Sequence, residues 1–144
     1  MKVYVAAPFE SASMVRSVHE RLQALGHVPT SSWAKGAEGK DKLHLLSLEQ
    51  IDRHLTDNDA DIVNCDVFVA FVVPGLGKEM FCEAAKARIL GIPIFWVGRE
   101  EWMPLSSYRP NSRRVEDATE LMKVFADLVG DDGLDRARAC MRQF

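Results

Sequence analysis

Apolar residues along this chain occur in two kinds of run. Asp66-Val67-Phe68-Val69-Ala70-Phe71-Val72-Val73 and Ile94-Phe95-Trp96-Val97 are short, rich in β-branched and aromatic residues, and do not alternate with polar ones. That is the pattern of strands buried on both faces. Val3-Tyr4-Val5-Ala6-Ala7, cut by Pro8, predicts a third strand. Elsewhere the apolar positions recur at helical spacing. Val15, Val18, Leu22 and Leu25 form one stripe, and Leu45, Leu48, Ile51, Leu55 and Ile62 form another within Leu43 to Ile62. Met80, Phe81, Ala84, Ala87 and Ile89 mark a helix from Lys78 to Leu90, and Leu121, Val124, Phe125 and Leu128 mark one from Val115 to Val129.

The punctuation agrees. Ser11 or Ser13 is placed to cap the first helix, Gly26 and Gly91 to end helices, and Pro74-Gly75-Leu76-Gly77 to separate a strand from the helix it feeds. His27-Val28-Pro29-Thr30 reads as a short edge strand, since proline cannot donate to a central ladder. Ser31 to Lys42 is polar and turn-rich around Trp33. Arg99 to Arg114 fits no helical template and is expected to be an ordered loop packed on another surface, such as a second subunit. Gly130 to Phe144 is a charged tail with some helical character.

Strands alternating with helices predict an α/β fold, a three-layer α/β/α domain spanning 1–144 with a parallel, flavodoxin-like (Rossmann-like) sheet of about five strands. Ligands of such sheets bind beyond the carboxyl ends of the strands, at the switch point between the first and third. The loops Ala7 to Ser13, Pro74 to Lys78, and Gly98 onward are therefore the places to look for chemistry.

Composition narrows the classes. A net charge of −3 over 144 residues supplies no general attraction to a nucleic acid polymer or an anionic membrane, and no apolar run is long enough to span one. The three cysteines, Cys65, Cys82 and Cys140, show no CxxC spacing and read as reduced, buried thiols. The four histidines, His19, His27, His44 and His54, are scattered and read as structural or surface residues, so no metal site is expected. A soluble, cytoplasmic, unprocessed protein is the expectation.

Gly75-Leu76-Gly77-Lys78 is not a Walker loop, because the spacing is too short and Glu79 follows the lysine. The loop and following helix start can still present amide donors to a ligand. Glu83 stands out: it lies one turn into an otherwise apolar helix whose neighbours Ala84, Ala85 and Ala87 allow close approach. It is either an exposed face residue or a reactive carboxylate in a half-apolar pocket. Glu79 is the second candidate. Asp57, Asp59 and Asp61 crowd a helix C-terminus that the macrodipole makes unfavourable for anions, so either at least one has some reason to be there or the helix end is solvated and frayed.

Together these residues resemble the nucleoside 2-deoxyribosyltransferase family, including the related deoxynucleoside 5′-monophosphate N-glycosidases. The resemblance lies in Val3-Tyr4-Val5-Ala6-Ala7-Pro8-Phe9, Gly26-His27, Asp66-Val67-Phe68-Val69-Ala70, Glu83-Ala84-Ala85-Lys86-Ala87 and Gly91-Ile92-Pro93-Ile94, in order over residues 2 to 98. It implies that Glu83 is a nucleophile attacking the anomeric carbon of a 2-deoxyribose and that Tyr4 orients it, with no cofactor. It also implies a small-molecule nucleoside or nucleotide as partner and a homodimer or larger assembly that shares active-site residues. The family's acid near the leaving base falls on Asn58, flanked by Asp57 and Asp59, and a local slip would supply either one. Ala85 in place of a glycine is a milder departure. Further contacts to substrate are expected from Ala7, Pro8, Phe9, Ser11, Ser13, Gly75 and Gly77. Ser106 and Ser107, with Arg109, Arg113 and Arg114 nearby, are placed to meet a 5′-phosphate. Asn58 also leaves open a non-catalytic nucleotide sensor on the same fold.

Overall fold

The computed structural model describes residues 1–36 and 46–142. Five strands, β1 (Lys2–Ala6), β2 (Val28–Pro29), β3 (Val67–Phe71), β4 (Ile94–Val97) and β5 (Ser112–Val115), form one sheet in the order 2-1-3-4-5. Every pairing is parallel. Of the five α-helices among the described residues, α1 (Ala12–Ala24) meets α4 (Ala118–Ala126), and α2 (Leu48–Val63) meets α3 (Lys78–Ile89); α5 (Gly133–Ala139) closes the order. The sheet thus lies between two helical layers, as the alternating pattern predicts.

Register decides which side chains share a face. Tyr4 pairs with Phe68 and Phe68 with Ile94, so alternate residues along β1, β3 and β4 point together. The Tyr4 and Phe68 rings stack with centroids 5.2 Å apart on one face. On the other, Phe95 packs against Phe125 of α4 at 5.3 Å. All five residues of β3 are buried, which explains why its sequence does not alternate.

Several expectations need correction. Ser112-Arg113-Arg114, read as loop, and Val115, read as a helix start, form the edge strand β5; the sequence hides it because two arginines occupy its middle, where they are only half-buried. The rest of that segment contains two short 3-10 turns, Glu100–Trp102 and Leu105–Tyr108. The second long helix starts at Leu48, held by a capping box between Ser47 and Gln50. Leu43, His44 and Leu45 lie outside the described residues. Leu48 and Leu55 of its predicted apolar face are exposed. Ser11 occupies the N-cap position of α1, but neither its side chain nor that of Ser13 makes a capping bond. The last long helix starts at Ala118, after Asp117 caps it through the Glu120 amide, because Val115 belongs to β5. In α3 the buried stripe is Met80, Glu83, Ala84 and Ala87, while Phe81 and Ile89 face outward. Of the three thiols only Cys65 is buried; Cys82 is exposed.

Candidate functional site

Glu83 takes a core position in α3. Its spacing from Met80 and Ala87 puts it on the helix stripe that packs against the sheet, and it is 9% exposed. A carboxylate there needs a partner, and the sheet supplies one. Tyr4, fully buried in β1, donates its hydroxyl to Glu83 Oε2 at 2.9 Å. From α2, buried Asn58 donates Nδ2 to Glu83 Oε1 at 3.4 Å. Three elements distant in sequence therefore converge on one carboxyl group.

The electrostatics follow from this burial. Desolvation raises the Glu83 pKa to about 7; the Tyr4 hydrogen bond and Lys86 pull it down, and the charges of Glu79 and Asp59 push it further up. The Tyr4 phenol is held far above its ordinary range, first by burial and then by the Glu83 charge. Tyr4 is thus a fixed proton donor, while Glu83 changes charge near neutrality.

The carboxyl group faces a cavity of about 360 Å³. Its walls come from the β1 loop (Ala7, Pro8, Phe9, Glu10), Trp33, α2 (Ile51, His54, Leu55, Asn58) and the start of α3 (Gly77, Lys78, Glu79, Met80). A mostly apolar hollow of this size, carrying a few polar groups, suits a small organic ligand. Gly77 shapes one wall. Its φ of 82° is left-handed, and a Cβ there would lie 3.2 Å from Pro8 Cγ, so glycine lets the β3–α3 loop close onto the β1 loop. The exposure of Leu55 now has a reason, since the α2 face that carries it with Ile51 opens onto this cavity rather than the core.

The sequence candidates divide accordingly. Glu83, Asn58, Ala7, Pro8, Phe9, Gly77 and Glu79 line the cavity, and Tyr4 reaches it through Glu83. Ser11, Ser13, Gly75, Ser106 and Ser107 are not among its lining residues; Ser107 is buried and Ser13 exposed. Asp59 points away and forms a 2.5 Å ion pair with Lys86. Asp61 accepts from the Ser32 amide and hydroxyl at 2.9 and 2.6 Å, so two of the three crowded aspartates have partners. Asp57 is exposed.

Five lining residues lie outside the sequence candidates and candidate loops: Trp33 in a polar stretch, Ile51, Leu55 and Met80 on apolar helix stripes, and His54 among the scattered histidines. The available signal was the four-residue spacing from His54 to Asn58, which puts them on one face of α2. His54 Nε2 lies 3.4 Å from Asn58 Nδ2, and its ring packs against Phe9 with centroids 5.5 Å apart.

No protein-family model and no curated protein matches the chain. Solved structures do. A 2-deoxyribosyltransferase from the psychrotolerant bacterium Bacillus psychrosaccharolyticus superposes with a TM-score of 0.70 at 20% identity, over 93% of this chain and 96% of its own. The CMP N-glycosidase of Clostridium botulinum superposes with a TM-score of 0.62 at 16% identity, over 90% and 100%. The chain therefore has the fold of a 2-deoxyribosyltransferase and a CMP N-glycosidase along nearly its whole length.

Proposed function

We propose that this chain cleaves the N-glycosidic bond of a 2′-deoxynucleoside or its 5′-monophosphate. Glu83 attacks the anomeric carbon as the base departs, giving a covalent glycosyl–Glu83 intermediate that a second base or water resolves. The observation that carries this reading is the 2.9 Å bond from Tyr4 to Glu83 beside a cavity of nucleoside scale. Tyr4 leaves one carboxyl oxygen committed and aims the other, which is how a buried acid is made into an oriented nucleophile. The apolar walls exclude water from the reacting carbon and favour a charge-dispersed, oxocarbenium-like transition state over separated ions. Ordered motif resemblance to the nucleoside 2-deoxyribosyltransferase family, and the names of the two structures that share the fold, support the same chemistry. Lys78 and the N-terminus of α3 line the cavity and support a monophosphate substrate.

Base release from each deoxynucleoside and each monophosphate, with and without a free acceptor base, tests the reading. Release abolished by Glu83→Gln, with a deoxyribosyl adduct on the Glu83 peptide of the native protein, is the expected result. Asn58, an amide where the resemblance implies an acid, favours the second reading of a nucleotide sensor. Saturable binding without any turnover would establish that sensor instead. The homodimer belongs to the same proposal and is supported by Leu105, 89% exposed beside exposed Tyr108 and Trp102 on the segment after β4. A monomer by sedimentation would remove it.

A further inference from the structure

Asn58 on α2 reaches Glu83 on α3 across 3.4 Å, the long end of a hydrogen bond, so this wall of the cavity depends on how closely the two helices approach. Asp59 follows Asn58, and Lys86 lies about one turn after Glu83. Lys86 Nζ donates to Asp59 Oδ1 at 2.5 Å, which joins the helices at the level of the nucleophile. Beyond that pair lies a second hollow of about 280 Å³, lined by Asp59, Ile62, Val63, Lys86, Ile89 and Leu90. Val63, Ile89 and Leu90 line it yet stay exposed, so apolar packing joins the helix ends only weakly there. The ion pair stands between two hollows.

On its other side α2 is tied separately. Residues 59 and 61 point about 200° apart around a helix. The Asp61 carboxylate accepts from the Ser32 amide and hydroxyl, and its carbonyl accepts from Thr30 Oγ1 at 3.1 Å. Asp61 thus fastens α2 to the segment after β2, while Asp59 fastens it to α3. The pair also sets the field at the nucleophile. Among the described residues, the charged or titratable groups around Glu83 are Tyr4 from β1, Glu10 from the β1 loop, His54 and Asp59 from α2, and Lys78, Glu79 and Lys86 from α3. The 3-10 turn bearing Trp33 adds exposed Lys35. Lys86 draws the Glu83 pKa down and Asp59 pushes it up, so removing one or the other acts on the carboxyl group in opposite directions.

We propose that Asp59 and Lys86 are positioning residues whose ion pair latches α2 to α3, holding the Asn58 wall on the nucleophile and a cation beside it; the assignment rests on the glycosidic reading above. Asp59 does not line the cavity, and its carboxylate is engaged by Lys86, so its part is played through Asn58 and Glu83 rather than on the substrate. Both side chains are about half exposed, which makes the effect of the latch a few-fold rather than orders of magnitude.

Three variants separate the latch from the field: Lys86→Met, Asp59→Ser, and the exchanged pair that combines Asp59→Lys with Lys86→Asp. Carboxyl carbon NMR follows the titration of Glu83, and hydrogen exchange follows the α2 amides. The expected result is a Glu83 midpoint moved up in Lys86→Met and down in Asp59→Ser, with α2 exchange about 2- to 5-fold faster in both. The exchanged pair should restore native exchange while its midpoint stays raised. At pH 9, about two units above the native Glu83 midpoint, KM for the deoxynucleoside or monophosphate that the native protein cleaves should rise by a similar factor in the single variants and return in the exchanged pair. Midpoints that move together or not at all, native α2 exchange in both single variants, or an exchanged pair that restores nothing would each overturn the assignment. A native protein that releases no base removes the glycosidic reading itself, while the titration and exchange measurements still decide the latch.

Discussion

Two adjacent residues of β1 serve two buried polar clusters, and the clusters differ in what they leave unsatisfied. At Val5 the amide donates to Ser31 Oγ at 3.0 Å, Ser31 Oγ meets His19 Nε2 at 2.7 Å, and the Val5 carbonyl accepts from Trp33 Nε1 at 3.0 Å. β2 is only two residues long, so these side chains complete the edge of β1 where the neighbouring strand has stopped. Each of these polar atoms has a reason in the backbone ladder. At Tyr4 the neighbouring cluster holds a carboxylate in a core position, leaves Asn58 Oδ1 buried without a partner among the described residues, and opens onto a cavity. Nothing in the sheet requires it. Burial of polar groups alone does not separate structure from chemistry; what separates them is whether the fold accounts for every partner.

The largest effect that sharpens this contrast is on turnover. Glu83→Gln keeps the shape and the Tyr4 contact but removes the nucleophile, so base release should fall by at least about a thousandfold. A variant within tenfold of the native rate would place the reaction elsewhere. Tyr4→Phe is next, at about 10- to 100-fold, the range for losing an orienting hydrogen bond. It also carries a signature in pH. The Tyr4 bond lowers the Glu83 pKa, so its removal should move the acid limb of the rate profile, native midpoint about 7, toward higher pH. An unmoved limb would mean that Tyr4 does not govern the ionisation of Glu83.

Much of this was readable from the chain. The strands and the two helical layers follow from unbroken apolar runs and helical spacing, which are local patterns, whereas the meeting of Tyr4 with Glu83, 79 residues apart, is legible only through the family resemblance. The misses have a common physical cause. β5 is an edge strand whose identity comes from pairing with β4 rather than from its own residues, and Trp33 and His54 become cavity walls only through tertiary approach. Asn58 shows the reverse. It was found through resemblance, yet its contacts to Glu83 and His54 depend on how α2 lies against α3.

Stability offers a smaller but independent way to break the comparison, because the two clusters should titrate with opposite sign. Glu83 has its pKa raised from 4.5 to about 7 by burial, so the folded state binds its proton more tightly than the unfolded chain does. That contribution is fully present below about pH 4.5 and is lost as pH rises through 7. From pH 5 to pH 8 it should cost about 3 kcal/mol at most, and Glu83→Gln should lose correspondingly less. Denaturant unfolding at the two pH values measures the difference. An equal decline in both proteins would show that ionising Glu83 carries no burial penalty.

His19 should behave in the mirror image. Burial lowers its pKa from 6.5 to about 4, with Lys35 adding to the shift, so the folded protein holds it neutral as hydrogen-bond partner of Ser31. Its contribution is present above about pH 6.5 and is lost as pH falls toward 4, because the unfolded chain takes up the proton first. His27 is lowered by burial too, so His19→Gln should remove only part of the acid-side decline. Between pH 7 and pH 5 that part is about 2 kcal/mol. Glutamine can still bond to the Ser31 hydroxyl, so the amide of Val5 need not lose its acceptor and the protein should fold. Base release at neutral pH should be unchanged, since His19 is absent from the cavity wall. A His19→Gln protein with the native acid-side slope, or with impaired turnover, would show that the two sides of β1 are not separable into scaffold and chemistry.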